Sequence, residues 1–390
     1  MRIGIIGNYG NDNNGDEAIL TGIVKQLTER LSVDKDNIVI FSNRPENTMK
    51  RYGISSVPLL HKKGNLFYSV LETLRKSFPI MKQLDLLIIG GGGLLMDMYK
   101  RDAPLYATLG ILGHYAGCKV VIYGVGAGPI RTKAGAFFIR QLLNKADQIS
   151  VRDDDSKILL ESLGIKKKIH TIGDPALFLA GTHRKKTSSI QKVAVTAVPY
   201  YSREYWPTSD DQKYANYLLG MAQNLDRLIE DKGVTVTFFS TKYPQDVKVT
   251  KDIVALMKYK EQTTVIDRNI YPNEIISICE SHDLVIGTRL HSLILSIVAH
   301  TPVIGIGYHQ KVQHFLSKIG EINHFVDIER LSESEHLLSS LVQQMERNWL
   351  EVQEQIHNIS LQMKQEATKG IELLAITGEE HGSKENSSIK

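Results

Sequence analysis

Three protonatable side chains lie close together in the segment from Leu284 to Val312: Arg289, His291 and Lys311. They follow two apolar runs, Leu284–Gly287 and Val303–Gly307, which are typical of buried strands. A short apolar helix is predicted between the runs. Open α/β sheets bind ligands at the carboxyl ends of their strands, and guanidinium, imidazole and ammonium groups bind anions. The segment therefore predicts an anion site in which His291 moves protons.

A glycine- and asparagine-rich loop follows the first strand-like run, Ile3–Ile6. Its glycines permit a tight turn into a helix, but their spacing is not the dinucleotide-binding fingerprint. Asn14, Asp16 and Glu17 carry the amide and carboxylate groups that bind sugar hydroxyls. An ordinary helix cap at Asp16 explains the same pattern equally well.

Two further strand exits carry candidate residues. Four consecutive glycines, Gly90–Gly93, follow a buried run and allow the backbone to approach a ligand closely; Gly92 is the candidate binding residue among them. Arg152 emerges where another strand ends and is a candidate anion ligand. Pairing of Arg152 with the acidic run Asp153–Asp155 is the structural alternative.

Apolar strands alternate with helical patterns almost throughout the chain, which predicts parallel sheets covered on both faces. We expect an α/β protein with two doubly wound, Rossmann-like domains that face a cleft. The predicted divisions are an N-terminal domain at 1–180, a linker at 181–191, a C-terminal domain at 192–334, a helical extension at 335–377 and a disordered tail at 378–390. The helical extension is expected to pack along the outside of the domains. Whether it crosses back to the N-terminal domain is left open.

Composition excludes several classes of protein. A net charge of +4 on 390 residues is too small to indicate nucleic-acid binding. Neither a targeting signal nor an apolar run of membrane-spanning length is visible, so we expect a cytoplasmic protein. Cys118 and Cys279 read as buried apolar residues, and His282, His309 and His314 have no carboxylates at metal-ligand spacing. We expect neither a metal nor a cofactor.

Taken together, the motifs resemble the polysaccharide pyruvyltransferase family over residues 1–318. The resemblance is carried by an ordered set of motifs: Gly10–Ala18, GGGGLLMD, GVGAGP, Val151–Ser156, Gly173–Leu177, TRLHSLI and the downstream YxxKV pattern. Two positions depart from the family pattern. Gln310 stands where proline is common, and Val125 stands where glutamine often follows the first glycine of its loop.

The resemblance implies a fold like that of GT-B glycosyltransferases and transfer of pyruvate from phosphoenolpyruvate to a sugar, forming a ketal. It maps essential positions onto Arg152, His291 and Lys311. We expect His291 to be the general acid/base, and Arg152, Arg289 and Lys311 to bind the donor, which is a co-substrate. The acceptor is expected to be a sugar of a cell-surface polysaccharide or a precursor, such as a lipid-linked one. The residues expected to bind it are Asn14, Asp16, Glu17 and Gly92.

Three alternatives stay open at this stage. A GT-B glycosyltransferase that uses a nucleotide sugar would share the fold and a basic donor site. A non-catalytic sugar- or nucleotide-binding protein would share the fold alone. The segment Phe67–Leu84 either packs on its domain or contacts the inner face of the plasma membrane, because apolar residues stand there beside Arg75, Lys76 and Lys82.

Overall fold

The computed structural model describes residues 1–98, 101–181, 185–206, 208–308 and 310–385; of residues 66 and 376–385 only the backbone is described. The chain forms two compact units. Unit 1 comprises Met1–Asn11, Asp16–Leu179 and the chain from Met363 onward, and unit 2 comprises Asp12–Gly15 and Ala180–Gln362. Each unit is therefore built from more than one stretch of the chain.

Unit 1 contains a seven-stranded sheet in which every pairing is parallel, in the order β3-β2-β1-β4-β5-β6-β7. The strands are β1 Ile3–Ile6, β2 Ile38–Ser42, β3 Ser55–Pro58, β4 Leu86–Gly90, β5 Lys119–Val125, β6 Gln148–Val151 and β7 Ile169–Thr171. The helices are α1 Asn14–Lys25, α2 Pro45–Tyr52, α3 Leu66–Met81, α4 Asp102–Ala116, α5 Lys133–Lys145 and α6 Asp154–Ser162. The central strands are buried on both faces, which explains their continuous apolar sequences.

Unit 2 contains a six-stranded parallel sheet in the order β10-β9-β8-β11-β12-β13. The strands are β8 Lys192–Val195, β9 Thr235–Phe238, β10 Thr263–Val265, β11 Leu284–Gly287, β12 Val303–Gly307 and β13 Phe325–Asp327. The helices are α7 Asp211–Lys232, α8 Gln245–Leu256, α9 Pro272–Glu280, α10 Leu290–Val298, α11 Gln310–Lys318 and α12 Leu337–Glu346. A last helix, α13 Trp349–Glu385, begins in unit 2 and belongs to unit 1 from Met363 onward.

Each sheet has a topological switch point, where the strand order reverses direction and two neighbouring connections diverge. It lies between β1 and β4 in unit 1 and between β8 and β11 in unit 2. Open α/β sheets bind ligands beside the carboxyl ends of the strands at this point. The sequence motifs that follow β1, β4 and β11 therefore lie where the fold favours a site.

The chain departs from the predicted divisions at three places. The segment Asp12–Gly15 belongs to unit 2, and the chain from Met363 belongs to unit 1. Helix α13 contains no proline and continues to Glu385, so the backbone is helical at 378–385, where composition predicted disorder. Residues 386–390 of that predicted tail and 182–184 of the predicted linker lie outside the described residues. Among the described residues, no helix has the length and apolarity that crossing a bilayer requires.

Candidate functional site

Asp16 and Gly92 meet at the switch point of unit 1. Asp16 is buried, and its carboxylate accepts a hydrogen bond of 2.8 Å from Asn8 Nδ2. Gly92 has a φ of +51°, and a Cβ atom there would overlap the Asp16 carboxylate. A glycine is needed at this position for both reasons. The structure thus brings together two of the four residues predicted to bind the acceptor.

Glu17, also predicted to bind the acceptor, is buried among protein partners. Its carboxylate accepts hydrogen bonds from the Gly10 amide at 2.8 Å and from the Tyr52 hydroxyl at 2.6 Å, and Arg51 Nη1 lies 3.9 Å away. Burial raises the pKa of Glu17, while Arg51 and Tyr52 oppose that shift. These contacts hold the loop after β1 against α2, a role that the sequence did not reveal.

Arg152 is buried in unit 1 between two carboxylates. Its Nε lies 3.3 Å from Asp153 Oδ2, and its Nη1 lies 3.3 Å from Asp174 Oδ2. The guanidinium also lies against Gly126, where a Cβ would be 3.0 Å from Nε. The Asp153 contact matches the structural alternative, and Asp174 is an additional partner. Asp174 lies in the Gly173–Leu177 motif, which is one of those that carry the family resemblance. Its place in that motif was the only sequence signal that Asp174 belongs to the site.

Backbone contacts connect Arg152 to the acceptor candidates of unit 1. The Gly126 amide donates to the Gly92 carbonyl at 2.8 Å, so the loop touching Arg152 is hydrogen-bonded to the loop touching Asp16. Arg152, Gly92 and Asp16 therefore belong to one local cluster at the carboxyl edge of the sheet. This edge combines a guanidinium with carboxylates and with glycine backbone that lies directly against them.

In unit 2, the segment Asp12–Gly15 is fixed by hydrogen bonds to the loop after β9. The Asn14 amide donates to the Thr241 carbonyl at 2.7 Å, and the Tyr243 amide donates to the Asp12 carbonyl at 3.1 Å. Asn269 Nδ2 donates to Asp12 Oδ1 at 2.9 Å. Asn14 itself is fully buried. The segment is thus an integral part of unit 2 although it follows β1 in sequence.

His291 lies against this segment. It is in the first turn of α10, directly after the β11 exit, and a Cβ added to Gly15 would lie 2.5 Å from its Nδ1. The residue next to Asn14 therefore contacts the imidazole. The structure brings one predicted acceptor residue, Asn14, into the neighbourhood of the predicted general acid/base.

Arg289, the residue that precedes α10, forms a buried ion pair with Asp246. Its Nε lies 3.0 Å from both Asp246 carboxylate oxygens, and its Nη2 lies 2.6 Å from Oδ1. Burial disfavours the charge, but Asp246 together with Tyr205 and Tyr308 outweighs it and holds the pKa of Arg289 well above its ordinary value. Asp246 also accepts from the Lys242 amide at 2.9 Å. One carboxylate therefore orients both the arginine and the loop after β9.

Tyr205 completes this cluster. Its hydroxyl lies 3.1 Å from Lys242 Nζ and 3.5 Å from Arg289 Nη1, and both cations lie over its ring, 4.6 and 5.4 Å from the centroid. Burial alone would raise the pKa of this phenol, but Arg289 and Lys242 outweigh it, so the pKa lies below its ordinary value. A tyrosine with this environment is a better proton donor than an ordinary phenol.

Asp246, Tyr205 and Lys242 were missed by sequence reasoning. Each is separated from Arg289 by more than 40 residues, and none belongs to a short motif. The only local signal was that Lys242 and Asp246 follow an apolar strand, as Arg289 does. The pairing depends on the order of strands in the sheet, which the local sequence does not contain.

Lys311 is in the first turn of α11, after β12. Since β12 pairs with β11 in parallel, Lys311 and Arg289 follow neighbouring strands at the same edge of the sheet, as predicted from the sequence. Tyr308, which precedes this helix, packs edge-on against Trp206 with ring centroids 5.2 Å apart. His309 lies outside the described residues.

A pocket of about 290 Å³ opens beside the Arg289 cluster on unit 2. Tyr205 contributes to its lining together with Tyr214, Asp252 and Lys248, and the Tyr214 hydroxyl donates to Asp252 at 2.7 Å.

Within the described part of the chain, no group of three or more histidine, cysteine, aspartate or glutamate side chains is arranged to hold a metal ion.

Comparison with known proteins identifies relatives over most of the chain. A family model described as polysaccharide pyruvyl transferase matches residues 13–310. The amylovoran biosynthesis protein AmsJ of Erwinia amylovora is 22% identical over 403 residues, covering 91% of this chain and 94% of AmsJ.

Solved structures resemble the fold at low sequence identity. The UDP-GlcNAc 2-epimerase of Methanocaldococcus jannaschii has a TM-score of 0.61 at 13% identity, covering 88% of this chain and 92% of the epimerase. Anabaena HepE, in complex with UDP and glucose, has a TM-score of 0.60 at 11% identity, covering 97% of this chain and 99% of HepE. These likenesses confirm the predicted fold class, two Rossmann-like domains of the GT-B kind with a C-terminal helix.

Proposed function

The chain belongs to the polysaccharide pyruvyl transferase family, and we propose that it transfers pyruvate from phosphoenolpyruvate to a sugar of a cell-surface polysaccharide or its precursor, forming a cyclic ketal. The observation that carries this proposal is the placement of Arg289, His291 and Lys311 after neighbouring strands of unit 2. These residues lie within or beside the span that defines the family.

Charge supports an anionic donor. Phosphoenolpyruvate carries a carboxylate and a phosphate, and several cations are needed to bind both. Asp246 already balances Arg289, so we assign Arg289 mainly to orientation and hydrogen bonding of the donor. Lys311 would add charge from the next strand exit. Arg152, on unit 1, stays a predicted donor ligand whose substitution should weaken donor binding.

The chemistry requires proton transfers that an imidazole can perform. The C3 methylene of phosphoenolpyruvate gains a proton, and a sugar hydroxyl oxygen forms a bond to C2. The C2–O bond to phosphate then breaks, and a second hydroxyl closes the ring. Of the two hydroxyl protons lost, one is balanced by the proton gained at C3 and the other leaves with phosphate. Imidazole changes charge near neutral pH, so we assign these transfers to His291.

The acceptor would bind through amide and carboxylate groups. Asn14 is fixed beside His291 by its own backbone, and Asp16 lies against Gly92 on unit 1. We propose Asn14, Asp16 and Gly92 as contacts to sugar hydroxyls. Glu17 holds the loop after β1, which leads to Asn14 and Asp16, and its proposed share in acceptor binding is through that loop.

A His291→Ala variant tests the catalytic assignment. Loss of the proton-transfer group should lower kcat by roughly 10²–10⁴-fold while binding of phosphoenolpyruvate, measured by calorimetry, changes little. Lys311→Ala should do the opposite, weakening donor binding more than it lowers kcat. His314→Ala, on the same helix as Lys311, serves as a matched control. Near-normal turnover by His291→Ala on a true acceptor would refute the assignment.

A nucleotide-sugar glycosyltransferase is the second candidate, favoured by one observation. Among the solved structures that share the fold, HepE is in complex with UDP and glucose. The two reactions release different products. Inorganic phosphate from phosphoenolpyruvate supports pyruvyl transfer, whereas a nucleoside diphosphate from a nucleotide sugar supports glycosyl transfer.

A further inference from the structure

The N-terminal half of helix α3, in unit 1, has its polarity reversed, whereas Met81 at the end of the helix is buried as an apolar residue normally is. Ser69, Thr73 and Ser77 recur every four residues on the buried face of the helix. Phe67 and Leu71, two residues away and thus about 200° around the axis, are 66% and 47% exposed. A helix that packs only on its own domain would place these residue types the other way round.

Two of the three hydroxyls on the buried face, those of Ser69 and Thr73, accept hydrogen bonds from backbone amides. The Thr73 hydroxyl accepts from the His61 amide at 2.8 Å, and the Ser69 hydroxyl accepts from the Lys63 amide at 2.9 Å. These bonds tie the connection after β3 to the helix and fix its orientation. The exposed apolar face is therefore held outward by specific contacts.

Two more apolar side chains widen the exposed face at the start of the helix. Tyr68 is next to Phe67, Val70 is next to Leu71, and both are exposed. Phe67 and Tyr68 pack edge to face, with ring centroids 5.8 Å apart. We call the four residues Phe67, Tyr68, Val70 and Leu71 the apolar patch.

The segment that carries the apolar patch is basic. Residues 60–84 contain one carboxylate, Glu72, and five cations: Lys62, Lys63, Arg75, Lys76 and Lys82. Their net charge of +4 equals the net charge of the whole chain. Glu72 lies within 3.4 Å of Lys63, Arg75 and Lys76 and so gathers three of the cations at one side of the patch. Elsewhere the chain is electrically balanced.

We propose that this face of unit 1 docks on an anionic phospholipid surface. The rings and the aliphatic side chains of the apolar patch would enter the interface, and the cations would contact the lipid phosphates. A stable protein interface buries about 800 Å² on each partner, which four side chains cannot supply. A lipid surface requires only a small apolar wedge with basic neighbours. The sequence left packing or membrane contact open, and the reversed polarity favours the latter.

Vesicle flotation tests the apolar part of the proposal. The intact protein should float with vesicles of equal parts phosphatidylglycerol and phosphatidylcholine, and binding should weaken as salt is added. Phe67→Ser/Leu71→Ser should bind about tenfold more weakly or worse. The control variant Phe137→Ser/Leu350→Ser changes residues that are 56% and 62% exposed elsewhere and should bind like the parent. Equal binding by both double variants would overturn the proposal.

A second pair of variants tests the charge. Lys62→Gln/Lys76→Gln should lose the preference for anionic over phosphatidylcholine-only vesicles, whereas Lys166→Gln/Lys168→Gln, with the same change in net charge on exposed lysines of unit 1, should keep it. Equal loss in both pairs would show general charge attraction and contradict a docking site.

Two further measurements separate membrane docking from self-association and from a direct role of the patch in turnover. Light scattering should give one mass for the parent and for Phe67→Ser/Leu71→Ser; a parent dimer that the substitutions dissociate would mean that a second copy covers the patch, against the proposal. Turnover of a water-soluble glycoside should be unchanged by the same substitutions. Because flotation needs no substrate, failure of the proposed pyruvyl transfer would leave the docking result standing, and the reverse also holds.

Discussion

At the residue scale, each arginine predicted to bind the donor is held by a carboxylate of its own unit. Arg289 is paired with Asp246 and Arg152 with Asp174, and all four groups are largely buried. A carboxylate of this kind fixes the direction of the guanidinium plane. It also offsets part of the charge available to an anion. The sequence predicted both arginines and missed both pairings with these carboxylates.

Asp246→Asn should lower the free energy of unfolding, because Arg289 would be left buried without its carboxylate partner. Removing one partner of a buried ion pair costs about 3–5 kcal/mol, so the free energy of unfolding should fall by several kcal/mol in denaturant titrations. Donor affinity should fall as well, because Arg289 loses its orientation. Asp211→Asn breaks an exposed pair with Arg203 and should change neither quantity measurably. Equal effects in the two variants would contradict the positioning role of Asp246.

Gly15→Ala should disturb His291 without destabilising the helix. An added methyl would meet the imidazole, and displacement of a catalytic group by about 1 Å can cost on the order of a hundredfold in rate. Alanine is a better helix former than glycine by about 1 kcal/mol, so we expect the melting temperature to change much less than kcat does. Steady-state kinetics with thermal unfolding would check this. Unchanged kcat would show that Gly15 does not fix the imidazole.

At the scale of elements, the sequence predicted the buried strands and missed one edge strand of each sheet, β3 in unit 1 and β13 in unit 2. Strands β1, β4, β5, β11 and β12 were identified because burial on both faces makes them continuously apolar. Strand β3, Ser55–Pro58, is partly exposed at the edge of its sheet, and β13 has only three residues. Neither has an apolar run that local pattern analysis could detect.

The connection between β5 and α5 depends on Asp97. Its carboxylate accepts from the Arg131 amide at 2.8 Å and from the Thr132 amide and hydroxyl at 2.6 and 2.7 Å. Burial would raise the pKa of Asp97, but these hydrogen bonds outweigh it and lower the pKa from its ordinary 3.8. The ionised form is therefore favoured in the folded protein.

Asp97→Asn should make stability less dependent on acid pH. Because the folded-state pKa lies below 3.8, the stabilisation by Asp97 is complete above that pH and is lost as pH falls through the folded-state value. The difference in unfolding free energy between parent and variant should be largest near neutral pH and shrink below about pH 4. A difference that is constant across this range would contradict the assignment.

At the scale of the whole molecule, the chain changes unit at residues 12–15, which the sequence did not predict, and within α13, for which the sequence left a return to the first domain open. Residues 12–15 belong to unit 2 because their backbone pairs with residues 241–243. The second half of α13 belongs to unit 1, where Met363, Ala367, Ile371 and Leu374 are buried. Such long-range contacts leave no mark on local periodicity. The pattern predicted two Rossmann-like domains but not which stretches complete each one.

Truncation after Gln362 should therefore weaken unit 1. Each fully buried Leu, Ile or Met contributes roughly 1.5–3 kcal/mol, and α13 also packs at Gly370 against Tyr123. Hydrogen exchange should show lost protection in β5 and β7, with β8 and β11 of unit 2 much less affected. Truncation after residue 377 keeps the buried residues and is the control. Equal loss of protection in both units would contradict this division of the chain.

The central claim, pyruvyl transfer from phosphoenolpyruvate, is tested most directly by following both products of one reaction. The protein is incubated with phosphoenolpyruvate and a panel of simple and lipid-linked glycosides, with nucleotide sugars in parallel reactions. We expect inorganic phosphate to be released in equal amount to a glycoside whose mass has increased by one pyruvate less one water. The His291→Ala variant should form neither product at a comparable rate. Transfer of a sugar with release of a nucleoside diphosphate, and no phosphate from phosphoenolpyruvate on any acceptor, would contradict the account.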